Sequence, residues 1–367
     1  MIRQFLAATG VVLAMAAAAG AASSDLQEGK PDVKSAGSLA FGPNGILFIA
    51  DPLGAAVFAV DTGDTAGSAD QVQLNVEGID AKVAAALGST ADDVPINDLA
   101  VNPANGTVYL SVSRGREPGA TPVILKVDRE GTISEFPLED VKFAKAELPN
   151  APENKVTGEG RRRGNQRLES ITDLAYVDGK LFIAGLSNEE FASKLRSVPY
   201  PFEKPDDGAS IEIYHGAHGA YETRSPVRTF AVVDIDEAPH LLAAYTCTPL
   251  VKIPVAMLKP GEKIRGKTIA ELGNHNRPLD MIVYEKDGHN YILMANSARG
   301  VMKIPMEKID QVEAITDPVE DKAGLTYETI DGVEGVVQLD RLNDGNALLL
   351  VQEGEGGPMS LVTLALP

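Results

Sequence analysis

Four carboxylates stand at near-equivalent places in a recurring sequence pattern: Asp98 in NDLAV, Asp173 in TDLAY, Asp280 in LDMIV and Glu334 in EGVVQ. Carboxylates gathered at one point repel one another, and a hard cation such as Ca²⁺, which takes oxygen ligands, would relieve that repulsion. Amide oxygens of Asn97, Asn188 or Asn296 could complete such a set. The plainer use of an Asp at a strand entrance is to accept backbone N–H bonds from its own turn. A second chemistry centres on Cys247, the only cysteine, and His275 in GNHNRP. A thiolate and an imidazole on adjacent loops could hold Cu or Zn, or act as nucleophile and base, with Asp280 as the third group. The alternative is a small buried thiol beside an exposed loop histidine. The basic run Arg161-Arg162-Arg163 and Arg277 are candidates for clamping a carboxylate or phosphate, with Asn188 and Asn296 as neutral partners.

These residues must be brought together by a repeat. GSLAFGPNGILFIADPLGAAVFAVDT from Gly37, NDLAVNPANGTVYLSVSRG from Asn97, TDLAYVDGKLFIAGLSN from Thr172 and LDMIVYEKDGHNYILMANSARGVMKIP from Leu279 share one pattern of short apolar strands separated by turns. HLLAAYTCTPLVKIPVAML from His240 aligns without gaps under YILMANSARGVMKIPMEKI from Tyr291, and EGVVQLDRLNDGNALLLVQEGEGGPMSLVTLAL ends the chain. Turn signals such as Asn105-Gly106, Asp178-Gly179 and Asp287-Gly288 fall between the first and second strands of each module. The expected fold is all-β, a β-propeller with six blades by count and seven as the alternative. Modules open near residues 38, 97, 171, 229, 279 and 333.

In a propeller the module openings and the corners after second strands surround one central mouth, and this places the carboxylates, Cys247 and His275 on one face. Two long insertions, 142–170 and 187–207, should decorate the same mouth, the aromatic-proline stretch Val198-Pro199-Tyr200-Pro201-Phe202 giving it an apolar rim. Short helices are expected at 80–87 and around 189–195. His215 and His218, counted as following a third strand, should face away; His240 and His289 start second strands on that far side. The source of the fourth strand in the last blade stays open, because 24–36 makes a poor strand.

The modules resemble those of NHL-type propellers and the regucalcin/gluconolactonase-like six-bladed group over essentially the whole chain after residue 22. That resemblance implies a ligand at the mouth and, for the lactonases, metal-assisted hydrolysis. Where the gluconolactonase-like enzymes carry a metal-ligating Glu before a Gly-Pro pair, this chain has Ala36-Gly37-Ser38.

Residues 1–22 have an early Arg, an apolar middle and small residues at the end, the layout of a secretory signal cleaved near Ala21 or Ala22, so residues 23–367 are expected to form a single exported domain, periplasmic or secreted. A formal net charge of −19 disfavours nucleic acid and anionic lipid as partners, and no membrane insertion is expected. One cysteine excludes an intramolecular disulfide, there is no CxxCH for haem attachment, and the absence of Trp argues against the Trp-rich blades of quinoprotein dehydrogenases and against Trp-lined sugar platforms. No complete catalytic set is visible. The functional expectation is therefore binding of a small molecule or partner protein at the mouth, with a Ca²⁺-assisted lactonase or esterase, or a copper-linked redox protein, as alternatives.

Overall fold

The computed structural model describes residues 26–116, 119–160, 163–247 and 249–367. The proposed signal segment, Arg161 and Arg162 lie outside the described residues. Six twisted sheets, lettered A to F in chain order and antiparallel except where Lys263–Arg265 pairs in parallel with Ala209–His215, form the blades of an all-β propeller. Their innermost strands are Leu39–Phe41, Ile96–Val101, Asp173–Val177, Val227–Ile235, Pro278–Lys286 and Val336–Asn343. These starts coincide with the six expected module openings.

Second strands such as Ile46–Asp51 are buried along their whole length, which explains why the sequence reads there as continuous apolar runs. Each is covered on both faces by neighbouring blades. Tight turns with positive φ at Asp178 and Asp287, each followed by glycine, connect first to second strands as the sequence pattern required. The helix Ile79–Ala86 matches its expectation. The expected helix around 189–195 does not form; Ser193–Pro199 is instead the third strand of blade C, pairing along its length with Lys180–Leu186. Leu195 and Val198, three residues apart, point to opposite faces and enter different apolar clusters, as in a strand buried between two sheets.

The extra strand changes the chain's course. Residues 200–202 end up on the face opposite the mouth, where the Tyr200 N–H donates to Gly179 O at 2.9 Å. Tyr200 and Phe202 there pack on Phe48, filling the seam between blades A and C, so they are core rather than a rim to the mouth. Ala209–His215 then becomes the fourth strand of blade C, antiparallel to the third, and returns the chain to the mouth face.

The blades do not follow one another around the ring in chain order. Innermost strands touch in the sequence A, B, F, E, D, C and back to A. After building A and B, the chain runs back over the outside of A, where Val141–Glu147 pairs with Ala56–Asp61 as that blade's fourth strand and Gln27–Gly29 adds a fifth. Blade C then rises on the other side of A, and D, E and F continue until F meets B. Blade F supplies only three strands of its own, and its outer edge is covered by the segment that joins A to B: Val76 and Leu361 exchange N–H···O bonds of 2.9 and 3.0 Å, and Leu74 N–H donates to Thr363 Oγ1 at 2.8 Å. The ring is closed by the first quarter of the chain lying across its last strand.

Continuing that register by one residue brings position 77, the first of the turn before the helix, beside position 360, whose Oγ accepts from the Gly78 N–H at 3.3 Å. Glu77→Cys with Ser360→Cys, in a Cys247→Ser background, is expected to oxidise to an intramolecular crosslink, read by mass spectrometry after proteolysis. Failure to crosslink under mild oxidation would contradict this ring closure.

Candidate functional site

An innermost propeller strand has no neighbour on its axial side, so its N–H groups there need other acceptors. Short carboxylate side chains at the strand entrances supply them. Asp173 accepts from the N–H of Leu174 at 2.8 Å and, across the seam, from Phe230 of blade D at 2.9 Å. Asp280 accepts from Met281 at 2.7 Å and from Leu339 of blade F at 2.9 Å. Asp98 reaches Leu39 of blade A at 2.7 Å. Asp340 accepts from Arg341 and from Val101 of blade B, each at 2.7 Å.

By this register Ser38, Asp98, Asp173, Thr229, Asp280 and Gln338 form one layer around the axis, enclosing a waist of about 70 Å³. Asp340 lies one step deeper along blade F, on the same side of its strand as Gln338. Register shifts between Ile96 and Asp98, Val227 and Thr229, Pro278 and Asp280, and Val336 and Gln338 put a bulge just before the layer in four blades. Each bulge turns the layer residue inward and leaves Asn97, Arg228, Leu279 or Val337 at the mouth.

The waist opens at both ends. On the far side is a cavity of about 590 Å³ lined by Phe41, Val101, Tyr176, Ile282 and Arg341. On the mouth side is a vestibule of about 500 Å³ whose polar lining includes Ser38, Asn97, Thr172, Gln338 and the guanidinium groups of Arg228 and Arg277, with Leu168 and Glu169 at its rim. Arg228 is fixed in place: it pairs with Glu169 at 2.9 Å and its Nε donates to Thr246 Oγ1 at 2.6 Å. Arg277 is solvent-accessible, and its guanidinium has no hydrogen-bond partner among the described residues; protein enclosure first, then the charge of Arg228, lowers its pKa.

Burial dominates the electrostatics of the waist. It pushes the Asp173 and Asp340 carboxyls up to about 6 against the N–H bonds they accept. Asp98 and Asp280 rise well above the usual carboxylate range, from burial and from the neighbouring aspartates. Four acids with raised pKa values therefore share this channel.

Of the carboxylates expected to meet, Asp98, Asp173 and Asp280 do. Glu334 does not: it is exposed, ahead of the blade F strand, in a separate depression with Arg299. The strand of blade F begins two residues after Glu334, at Val336, and Gln338 takes the layer position. Asp340 was missed, although two-residue strand periodicity from Gln338 points to it. Asn296 is buried and caps its own turn, its side-chain oxygen accepting from Ala298 and Arg299 N–H. Asn188 and Arg163 are exposed, away from the vestibule lining. Arg228 was missed because only the bulge carries it to the mouth.

Cys247 does lie at a corner after a second strand, but it is not grouped with His275. Its sulfur sits within 4.8 Å of ring nitrogens of His215 and His218. The cause is the extra strand in blade C, which brings these histidines to the mouth face instead of the far one. Asp280 is committed to the waist, so a Cys247–His275–Asp280 set does not form.

No protein-family model matches this sequence, and no curated protein matches it. Among solved structures, a Thermus thermophilus protein described as an oxidoreductase (glucose dehydrogenase) is 14% identical, with 92% of this chain and 100% of that one covered and a TM-score of 0.37. The PQQ-bound aldose sugar dehydrogenase of Streptomyces coelicolor is 13% identical over 94% of this chain and 99% of its own, with a TM-score of 0.35. The Bacteroides ovatus xyloglucan PUL GH43B protein is 13% identical, covering 74% and 52%, at a TM-score of 0.36.

The waist makes stability fall with rising pH. Its carboxyls are raised above their unfolded values, so the folded chain binds more protons than the unfolded one; the stabilisation is complete below about pH 4 and is lost as pH rises through about 6. Thermal unfolding midpoints measured from about pH 5 to about pH 7.5 should decline, and Asp280→Asn should flatten that decline. An unchanged slope in the variant would exclude the waist as its source.

Proposed function

We propose that this chain is an exported propeller that binds a small, hydroxylated carboxylate in the mouth vestibule, with Arg277 holding the carboxylate. One observation carries the reading: a guanidinium without a hydrogen-bond partner among the described residues stands in a concave site while the adjacent Arg228 is held by Glu169 and Thr246. On a chain of net charge −19, a pair of arginines at the mouth is a local reversal of sign suited to an anion. The hydroxyl and amide groups of Ser38, Thr172 and Gln338 suit a ligand with several hydroxyls, and about 500 Å³ matches a small molecule better than a protein segment. The signal-like layout of residues 1–22 supports export to the periplasm or beyond. The blade pattern's likeness to the regucalcin/gluconolactonase-like group agrees with a ligand at this end of the axis.

A Ca²⁺-assisted hydrolase at the same mouth is the second reading, favoured by the convergence of Asp98, Asp173 and Asp280 on the axis. Against it, these carboxylates already accept N–H bonds from the innermost strands, which leaves few oxygen lone pairs for a cation that takes six to eight oxygen ligands.

Titration calorimetry with gluconate, glucose and phosphate separates the outcomes. Gluconate is expected to bind better than glucose, and Arg277→Gln to weaken it by about tenfold or more, the worth of a charge-assisted hydrogen bond. Equal binding of glucose and gluconate, or an Arg277→Gln protein that binds as the parent does, would refute the assignment. Ca²⁺ binding that disappears in Asp173→Asn would favour the hydrolase instead.

A further inference from the structure

At the seam between blades C and D, apart from the axial channel, three side chains of the right chemistry for a transition metal converge. His215 ends the fourth strand of blade C and is 2% exposed; His218 follows on a single 3₁₀ turn, Gly216–His218; Cys247 comes from the corner after the second strand of blade D. A ring nitrogen of each histidine and the Cys247 sulfur all lie within 4.8 Å of one another. The two rings lie against each other, tilted by 42°, with centroids 3.9 Å apart.

Both imidazoles are oriented by the same acid. Glu222 Oε1 accepts from His215 Nδ1 at 3.1 Å and from His218 Nδ1 at 2.5 Å, and its other oxygen accepts from Ser225 Oγ. A carboxylate can only accept, so each ring carries its proton on Nδ1, and the lone pair of the neutral ring is then on Nε2. That carboxylate–histidine arrangement is the one that sets ring orientation and raises basicity in metal centres. The pieces are held from both blades. Gly216 N–H donates to Glu271 Oε1 of blade D at 2.5 Å, and Cys247 N–H donates to Asn276 O at 3.2 Å.

We infer that His215, His218 and Cys247 form a binding site for a Zn²⁺ or copper ion that clips blade C to blade D. Two imidazole nitrogens and a thiolate are a borderline-to-soft donor set, which selects these ions over Ca²⁺ or Mg²⁺. Binding converts the Cys247 thiol to a thiolate, its proton passing to solvent. A fourth position is left for water or an added ligand, as in metal centres with three protein ligands. The site is independent of the carboxylate vestibule, although Thr246, which anchors Arg228, precedes Cys247 directly.

The test uses the full mature chain and the metals themselves. With Co²⁺ added as a spectroscopic stand-in, the protein is expected to show a thiolate-to-cobalt charge-transfer band in the near ultraviolet at one equivalent, absent in Cys247→Ser. Zn²⁺ should displace it and protect Cys247 from alkylation by iodoacetamide. His218 is 55% exposed, so His218→Ala should fold normally and bind Zn²⁺ at least tenfold more weakly, while Glu222→Gln, which removes only the orienting carboxylate, should cost about 10–100-fold. A parent protein with no charge-transfer band, a band that survives in Cys247→Ser, or equal Zn²⁺ affinity in His218→Ala would each overturn the site.

Discussion

The axial edge of the innermost strands is the constraint around which this molecule is organised. Six strands present N–H groups to a channel too narrow to be solvated like bulk water, and an unpaired buried donor is expensive. Asp98, Asp173, Asp280 and Asp340 answer this by accepting across blade seams, so that each links two sheets as well as satisfying an edge. The solution carries its own penalty, four acids in mutual proximity. Burial raises the pKa of all four, repulsion adds to it at Asp98 and Asp280, and the channel adjusts by holding protons as pH falls.

With one cysteine the chain has no disulfide to secure its ring, and the interlocked blade order takes over that function. Blade A receives its fourth strand from residues laid down after B, and blade F is covered by residues laid down before B. Opening the ring at the F–B seam would strip the outer edge of F as well as separate two blades. Long-range pairing of this kind makes local opening cooperative, and it also requires much of the chain to be present before either edge is complete.

Chemistry-bearing residues gather where blades meet. The vestibule draws its arginines from the openings of D and E, and its position follows from bulges that turn one residue inward and the preceding one toward the mouth. The histidine–cysteine cluster lies at the outer part of the C–D seam. Seams offer side chains from two rigid sheets at fixed separation, whereas a single blade presents only its own loops. Both candidate sites follow from that geometry.

Periodicity within a few residues was enough to read the class of fold, six module openings, the turns between first and second strands and the placing of Asp98, Asp173 and Asp280 at those openings, while seven blades stayed open as an alternative. Tertiary structure alone decided which elements became neighbours. Whether 193–199 was strand or helix moved His215 and His218 to the opposite face and gave Cys247 different partners. Glu334 fell ahead of the strand, so that Gln338 took the axial layer in blade F, and a one-residue bulge in blade D brought Arg228 to the mouth. The ring order could not be read from the repeat, since every module has the same edges and the choice of neighbour rests on side-chain packing between sheets far apart in the chain.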